Sequence, residues 1–140
     1  MPCALKISEA SSLAMHALGY LANSEDGPIT SREIARRFEI SEAHLAKVLQ
    51  RMVKVGLLRS MRGPHGGFVL TRPPESVKLL ELFETIEGPF EPNQCLLSSA
   101  ICDGDNCILG RIVLEANTVL RARLEETTLV EVEAVINASR

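Results

Sequence analysis

Tryptophan is absent, and one tyrosine and four phenylalanines are all the large aromatic side chains in 140 residues. A core must therefore be built from Leu, Ile, Val, Met and Ala, which suits packed helices better than a β-sandwich. No run approaches the roughly 20 apolar residues of a membrane helix. No basic segment followed by a long apolar run opens the chain, so a cytoplasmic protein is expected. Catalytic signatures are missing as well: there is no GxxxxGK[ST] loop, no HExxH pair and no Gly-x-Ser-x-Gly elbow, and no enzyme is expected. Hydrophobic residues at 46% and charged residues at 24% argue against a disordered chain.

Net charge is also small, at −3, which by itself does not suggest a nucleic-acid binder. The average hides an asymmetry. Residues 1–75 hold ten Lys or Arg against seven acids, a net of +3, whereas residues 76–140 hold five against eleven, a net of −6. For binding phosphates, a locally basic surface matters more than the total.

What is present reads as mostly helix. Residues 9–23 place Leu13, Ala17, Leu18 and Leu21 on one helical face. The stretch Ser24 to Pro28 punctuates the chain. Thr30 and Glu33 have capping-box spacing and open a short helix to Phe38, with Ile34, Ala35 and Phe38 inward. After a tight connection at Glu39 and Ile40, Ser41 caps a third helix to Val55, whose apolar face is Leu45, Val48, Leu49 and Met52. Gly56 ends it. Two short strands, residues 57–61 and 68–70, flank a glycine-rich loop at 62–67, and Pro73 and Pro74 close the unit. Ser76 is expected to cap a fourth helix over 77–87 that buries Val77, Leu80, Leu82, Phe83 and Ile86. From Cys107 to Glu126, Leu109, Ile112, Val113, Ala116, Val119, Leu120 and Leu124 form a broad stripe. Thr128 and Glu131 cap a last helix containing Val132, Val135 and Ile136.

The expected fold is mainly α: a winged helix-turn-helix with a two-stranded β wing and a long C-terminal dimerisation helix. The division expected is a DNA-binding domain over 1–75 and a cysteine loop with dimerisation helices over 76–140. The long helix finds little of its own chain to pack on, which points to a homodimer. The plainer alternative folds it back on the first helix.

Two helices joined by a tight turn and followed by a wing place the second helix in a major groove. Its N-terminal residues Ser41, Glu42, Ala43 and His44 face base edges, while Lys47, Arg51 and Lys54 extend the same side toward phosphates. Thr30 and Ser31 can bring the preceding helix N-terminus against the backbone. In the wing, Arg59 and Arg62 stand beside bare backbone. Gly63, Gly66 and Gly67 allow close approach to a narrow groove that Arg62 can enter, with His65 a further contact or a plain solvent-exposed side chain. His16 reads as structural or surface.

Cys95, Cys102 and Cys107 fall within thirteen residues, while Cys3 stands apart. Clustered cysteines in a reducing compartment favour metal or redox chemistry over disulfides. Thiolates suit iron–sulfur clusters, zinc or copper(I), and a cluster-free thiol switch or inert thiols remain open.

The segments Ala14 to Ala22, Ile34-Ala35, Ile40-Ser41 and Leu45 to Leu49, together with Val55-Gly-Leu-Leu-Arg-Ser-Met-Arg-Gly-Pro-His-Gly-Gly-Phe-Val-Leu70, Glu87-Gly-Pro89 and Thr128-Leu129, resemble the Rrf2 family of bacterial transcriptional regulators. That family includes iron–sulfur and nitric-oxide sensing repressors. The resemblance spans nearly the whole chain and implies a homodimer with crossing long helices and two winged heads on a palindromic double-stranded DNA operator. It also implies an iron–sulfur cluster, 2Fe-2S or 4Fe-4S, on Cys95, Cys102 and Cys107. Here the cysteine intervals are six and four residues, unlike the equal spacing usual in the family, with Gly104 able to supply flexibility. Where some relatives carry a ligating histidine this chain has Gly110, and where others carry an acid it has Ser12, with Glu9 one turn earlier. The fourth position is left to Glu9, Cys3, a small molecule or nothing. The function expected is a repressor whose DNA affinity is set by the cluster, through ordering of the loop and the angle between the two heads. The alternatives are a winged-helix regulator with a cluster-free thiol switch or a small-molecule ligand, and a protein-interaction module that does not bind DNA.

Overall fold

The computed structural model describes residues 7–23, 27–91, 95–103 and 106–139. Cys3, residues 24–26 of the first connection, and Gly104 lie outside them. The chain runs α1 (Glu9–Leu21), α2 (Ser31–Phe38), α3 (Glu42–Lys54), β1 (Leu58–Met61), β2 (Gly67–Leu70), α4 (Leu79–Glu87), α5 (Ile108–Glu126) and α6 (Leu129–Ala138), with one 3-10 turn at Pro74–Ser76.

The polar starts of the first helices lie where the sequence puts caps. Ser8 accepts the Ser11 amide at 3.1 Å, Thr30 accepts that of Glu33 at 3.1 Å, and Ser41 accepts that of His44 at 3.3 Å. Each satisfies a donor that has no partner within its helix. At the end of α3, Gly56 takes φ 83°, so that its amide reaches Val53 O at 3.0 Å and the Leu57 amide reaches Met52 O at 3.0 Å. This left-handed cap turns the chain sharply into the wing.

The wing pairs antiparallel, Leu58 with Leu70 through Met61 with Gly67. A further pairing joins it: Ile29 bridges Phe68, with Phe68 N donating to Ile29 O at 2.8 Å and Ile29 N to Phe68 O at 3.2 Å. Gly67 lies under this crossing, where a Cβ would come within 2.6 Å of the Ile29 carbonyl. The wing is thus fastened to the segment that leads into α2.

The core gathers Leu13, Ala14, Ala17, Leu18 and Leu21 of α1 with Ile34, Leu45, Leu49, Met52, Phe68, Leu82 and Leu129. Helix α1 is its axis, packing on α3, α4 and α6. The return onto the first helix is therefore made by α6, while α5 packs on α4. Among α5 residues only Gly110 and Leu124 are buried.

The fourth helix starts later than its sequence suggests. Ser76 does not cap it; its hydroxyl donates to Pro73 O at 2.7 Å within the 3-10 turn, and Lys78 is the residue before α4. The cause is tertiary. Val77 is fully buried and stays extended, because the Leu129 amide donates to Val77 O at 3.0 Å and the Leu79 amide donates to Thr127 O at 3.0 Å. This short antiparallel bridge, Lys78 with Thr128, secures the α5–α6 corner to the winged unit. Helix α6 then opens with Glu131 accepting the Thr128 amide at 2.8 Å.

Candidate nucleic-acid interface and cysteine loop

Burying Leu45, Val48, Leu49 and Met52 leaves the other side of α3 in solvent, and Ser41, Glu42, Ala43, Lys47 and Lys54 are exposed there. Glu42 is engaged by the helix before it: Ser31 donates to its carboxylate at 3.3 Å, and Arg32 Nε lies 3.6 Å away. His44 is half-buried, its Nδ1 3.8 Å from the Glu9 carboxylate of α1. Helix α2 adds exposed Arg32, Arg36 and Arg37, whose individual roles the sequence does not mark, although they contribute to the net +3 of residues 1–75. In the wing, Arg59, Arg62, Gly63 and His65 are exposed. Gly66 is drawn into the turn, its amide donating to Gly63 O at 3.0 Å.

Arg51 is exposed as well, and it makes a further connection. Its guanidinium turns toward α4 and donates to the carbonyls of Thr85 at 3.1 Å and Ile86 at 2.8 Å. These carbonyls belong to the last turn of α4, which carries no basic residue of its own. On the neighbouring side, Ser8, the cap of α1, and Ser11 within it both donate to the Glu87 carboxylate, Ser11 at 2.5 Å. The Glu87 carboxyl is accordingly held below its ordinary value, chiefly by the Ser11 hydroxyl, then by that of Ser8, with the Arg51 charge contributing least. Ser11 is fully buried, a polar side chain inside an apolar helix face. The signals for this junction were Ser8 and Ser11 at i, i+3 and the Glu87-Gly88-Pro89 turn, but nothing local links residues 76 apart.

The cysteine loop leaves α4 past Phe90, whose amide donates to Glu84 Oε1 at 2.9 Å and whose ring packs on Phe83 with centroids 5.4 Å apart. Cys95 is half-buried and Cys102 exposed. Cys107 caps α5, its sulfur accepting the Gly110 amide at 3.2 Å. Among the described residues, no group of three or more His, Cys, Asp or Glu is placed to hold a metal ion. Among the described residues the three thiols are therefore not drawn together into a single ligand set. Of the suggested fourth ligands, Glu9 faces His44, and Ser12 lies beside His16, whose Nδ1 is 2.7 Å from Ser12 O. His16 is exposed and meets Phe38 edge-on with ring centroids 6.0 Å apart. Among the described residues no helix is long and apolar enough to cross a membrane.

Comparison with known proteins agrees with this geometry. Residues 7–134 match Rrf2, described as an iron-dependent transcriptional regulator. The chain is 31% identical over 119 residues to an HTH-type transcriptional regulator of Aquifex aeolicus, covering 83% of each. It is 29% identical over 109 residues to the HTH-type transcriptional regulator IscR of Klebsiella pneumoniae, covering 78% of this chain and 67% of that protein. Its fold is similar to that of CymR, the global cysteine regulator of B. subtilis, with a TM-score of 0.78, 23% identity, and coverage of 94% of this chain and 98% of that one. The winged helix-turn-helix and the match over nearly its whole length make this chain a member of the Rrf2 family of DNA-binding transcriptional regulators.

Proposed function

We propose that the protein is a homodimeric repressor that reads a palindromic operator with α3 and the wing, and whose DNA affinity responds to the thiol state of its cysteine loop without a bound cluster. The observation that carries the DNA reading is the shared exposure of Ser41 at the cap of α3 and of Lys47 and Lys54 on it with Arg59 and Arg62 of the wing. The wing's position is set by the Ile29 bridge and the Gly56 cap, so these groups reach one duplex as a unit. Dimerisation is supported by α5: Ile108, Leu109, Ile112 and Val119 are 58–72% exposed in the single chain, a density of bare aliphatic surface that marks an interaction face.

Thiol control is supported by the loop's arrangement. Cys102 is exposed, and Cys107 holds the first turn of α5, so a change at its sulfur removes a helix cap. Peroxide treatment should lower both titratable thiols and operator affinity, and dithiothreitol should restore both. Unchanged affinity after complete thiol loss would remove the switch. A second reading, a cluster on Cys95, Cys102 and Cys107, is favoured by three cysteines within thirteen residues and by the family's description as iron-dependent. Anaerobic purification with iron, sulfide and visible absorbance measurements separates the two. Stoichiometric iron and sulfide lost in each Cys→Ser variant would favour the cluster.

A further inference from the structure

We propose that Arg51 is a positioning residue: it ties the reading helix to the root of the cysteine loop, and so sets operator affinity without touching DNA. This rests on the regulator reading above. Three observations carry it. First, one end of the guanidinium is engaged, with Nη2 donating to Thr85 O and Ile86 O. Carbonyls of a last helical turn lack intrahelical partners and carry the negative end of the helix dipole, and α4 offers no cation of its own there. Arg51 supplies both the donors and the charge from α3.

Second, the same turn is pinned from its other side. Ser8 and Ser11 donate to Glu87, so α4 is held between α1 and α3 at one point. Third, the residues that follow are fastened to that turn and lead into the loop. The Gly88 amide donates to Glu84 O at 2.9 Å and the Phe90 amide to Glu84 Oε1. A displacement of the loop root therefore acts on the carbonyls that Arg51 holds, and Arg51 lies on the third turn of the helix that carries Ser41 and Lys47.

The test uses the full-length protein and the duplex it selects from random-sequence DNA. Arg51→Ala should weaken that duplex about tenfold, as expected for loss of charge-assisted hydrogen bonds. Its affinity for random duplex and its salt slope should stay at wild-type values. Phe90→Ala should weaken the selected duplex less, and the double variant should bind no worse than Arg51→Ala, because both act through one connection. A salt slope reduced by about one, with equal loss on random duplex, would make Arg51 a phosphate contact and overturn the proposal. Additive losses in the double variant would overturn the connection to the loop root. Amide exchange at Gly88 in DNA-free protein tests the clamp separately and should speed up in Arg51→Ala; unchanged exchange removes it. A wild-type protein that selects no sequence would instead defeat the regulator reading.

Discussion

Replacing Val119 with Glu should split the protein into monomers. Val119 is 62% exposed in the single chain, on the stripe with Ile112, Ala116 and Leu120. Fully burying a valine is worth about 1.5 kcal/mol, so covering this remainder contributes about 1 kcal/mol per subunit. A carboxylate in the same place must lose its water or take up a proton. From an ordinary Glu value near 4.3, protonation at pH 7 costs about 3.7 kcal/mol, which limits the penalty at each site. Two-fold symmetry applies the change twice. Even if the Glu side chain reaches the rim and escapes half of the penalty, about 6 kcal/mol is lost, more than a thousandfold in dimer affinity. Thr118→Glu is the control: it is exposed and lies half a helical turn from the stripe. Sedimentation velocity at low micromolar concentration should show twice the chain mass for wild type and Thr118→Glu, and the single-chain mass for Val119→Glu. A wild-type monomer, or an intact Val119→Glu dimer, would refute the reasoning.

Two other consequences concern the junctions around α1. Gly19→Ala should destabilise the fold by about 1–3 kcal/mol in urea unfolding, the usual range for overpacking. Its Cβ would lie 3.1 Å from Val132 Cβ and 3.2 Å from Ile136 Cδ1 of α6, and a β-branched side chain has little room to turn away; unchanged stability would mean that α6 does not pack here. The lowered Glu87 value stabilises the fold above the carboxylate's unfolded value, and that contribution is lost as pH falls through the folded value. Glu87→Gln should therefore be less stable than wild type at neutral pH, with the gap closing in acid; a gap independent of pH would deny the Ser8 and Ser11 bonds.

Legibility from the sequence followed the range of the interactions. The caps at Thr30, Ser41 and Thr128 were readable because partner and cap are three residues apart. Gly56 was readable because a left-handed residue ends a helix by local geometry. Helix periodicity likewise gave the inward face of α3. The misplaced start of α4 shows the limit: Ser76 carries a good local cap signal, but burial of Val77 and its pairing with Leu129 outweigh it. Arg51 has the same limit. Its spacing from Lys47 places it on a common exposed side, but its hydrogen-bond partners lie 34 and 35 residues away on α4, where no local pattern points. The wing's extra pairing with Ile29 and the buried Ser11 also depend on distant chain, which periodicity cannot report.

The most direct test of the DNA-reading account is selection from random duplex DNA followed by footprinting of the recovered sequence, with wild type and Arg62→Ala in parallel. The account predicts one palindrome, protected by one dimer, with half-site centres separated by about one helical turn or a multiple of it. Arg62→Ala should protect the same sites more weakly. Failure of wild type to enrich any sequence, or equal protection by both proteins, would contradict the assignment of α3 and the wing as the reading surface.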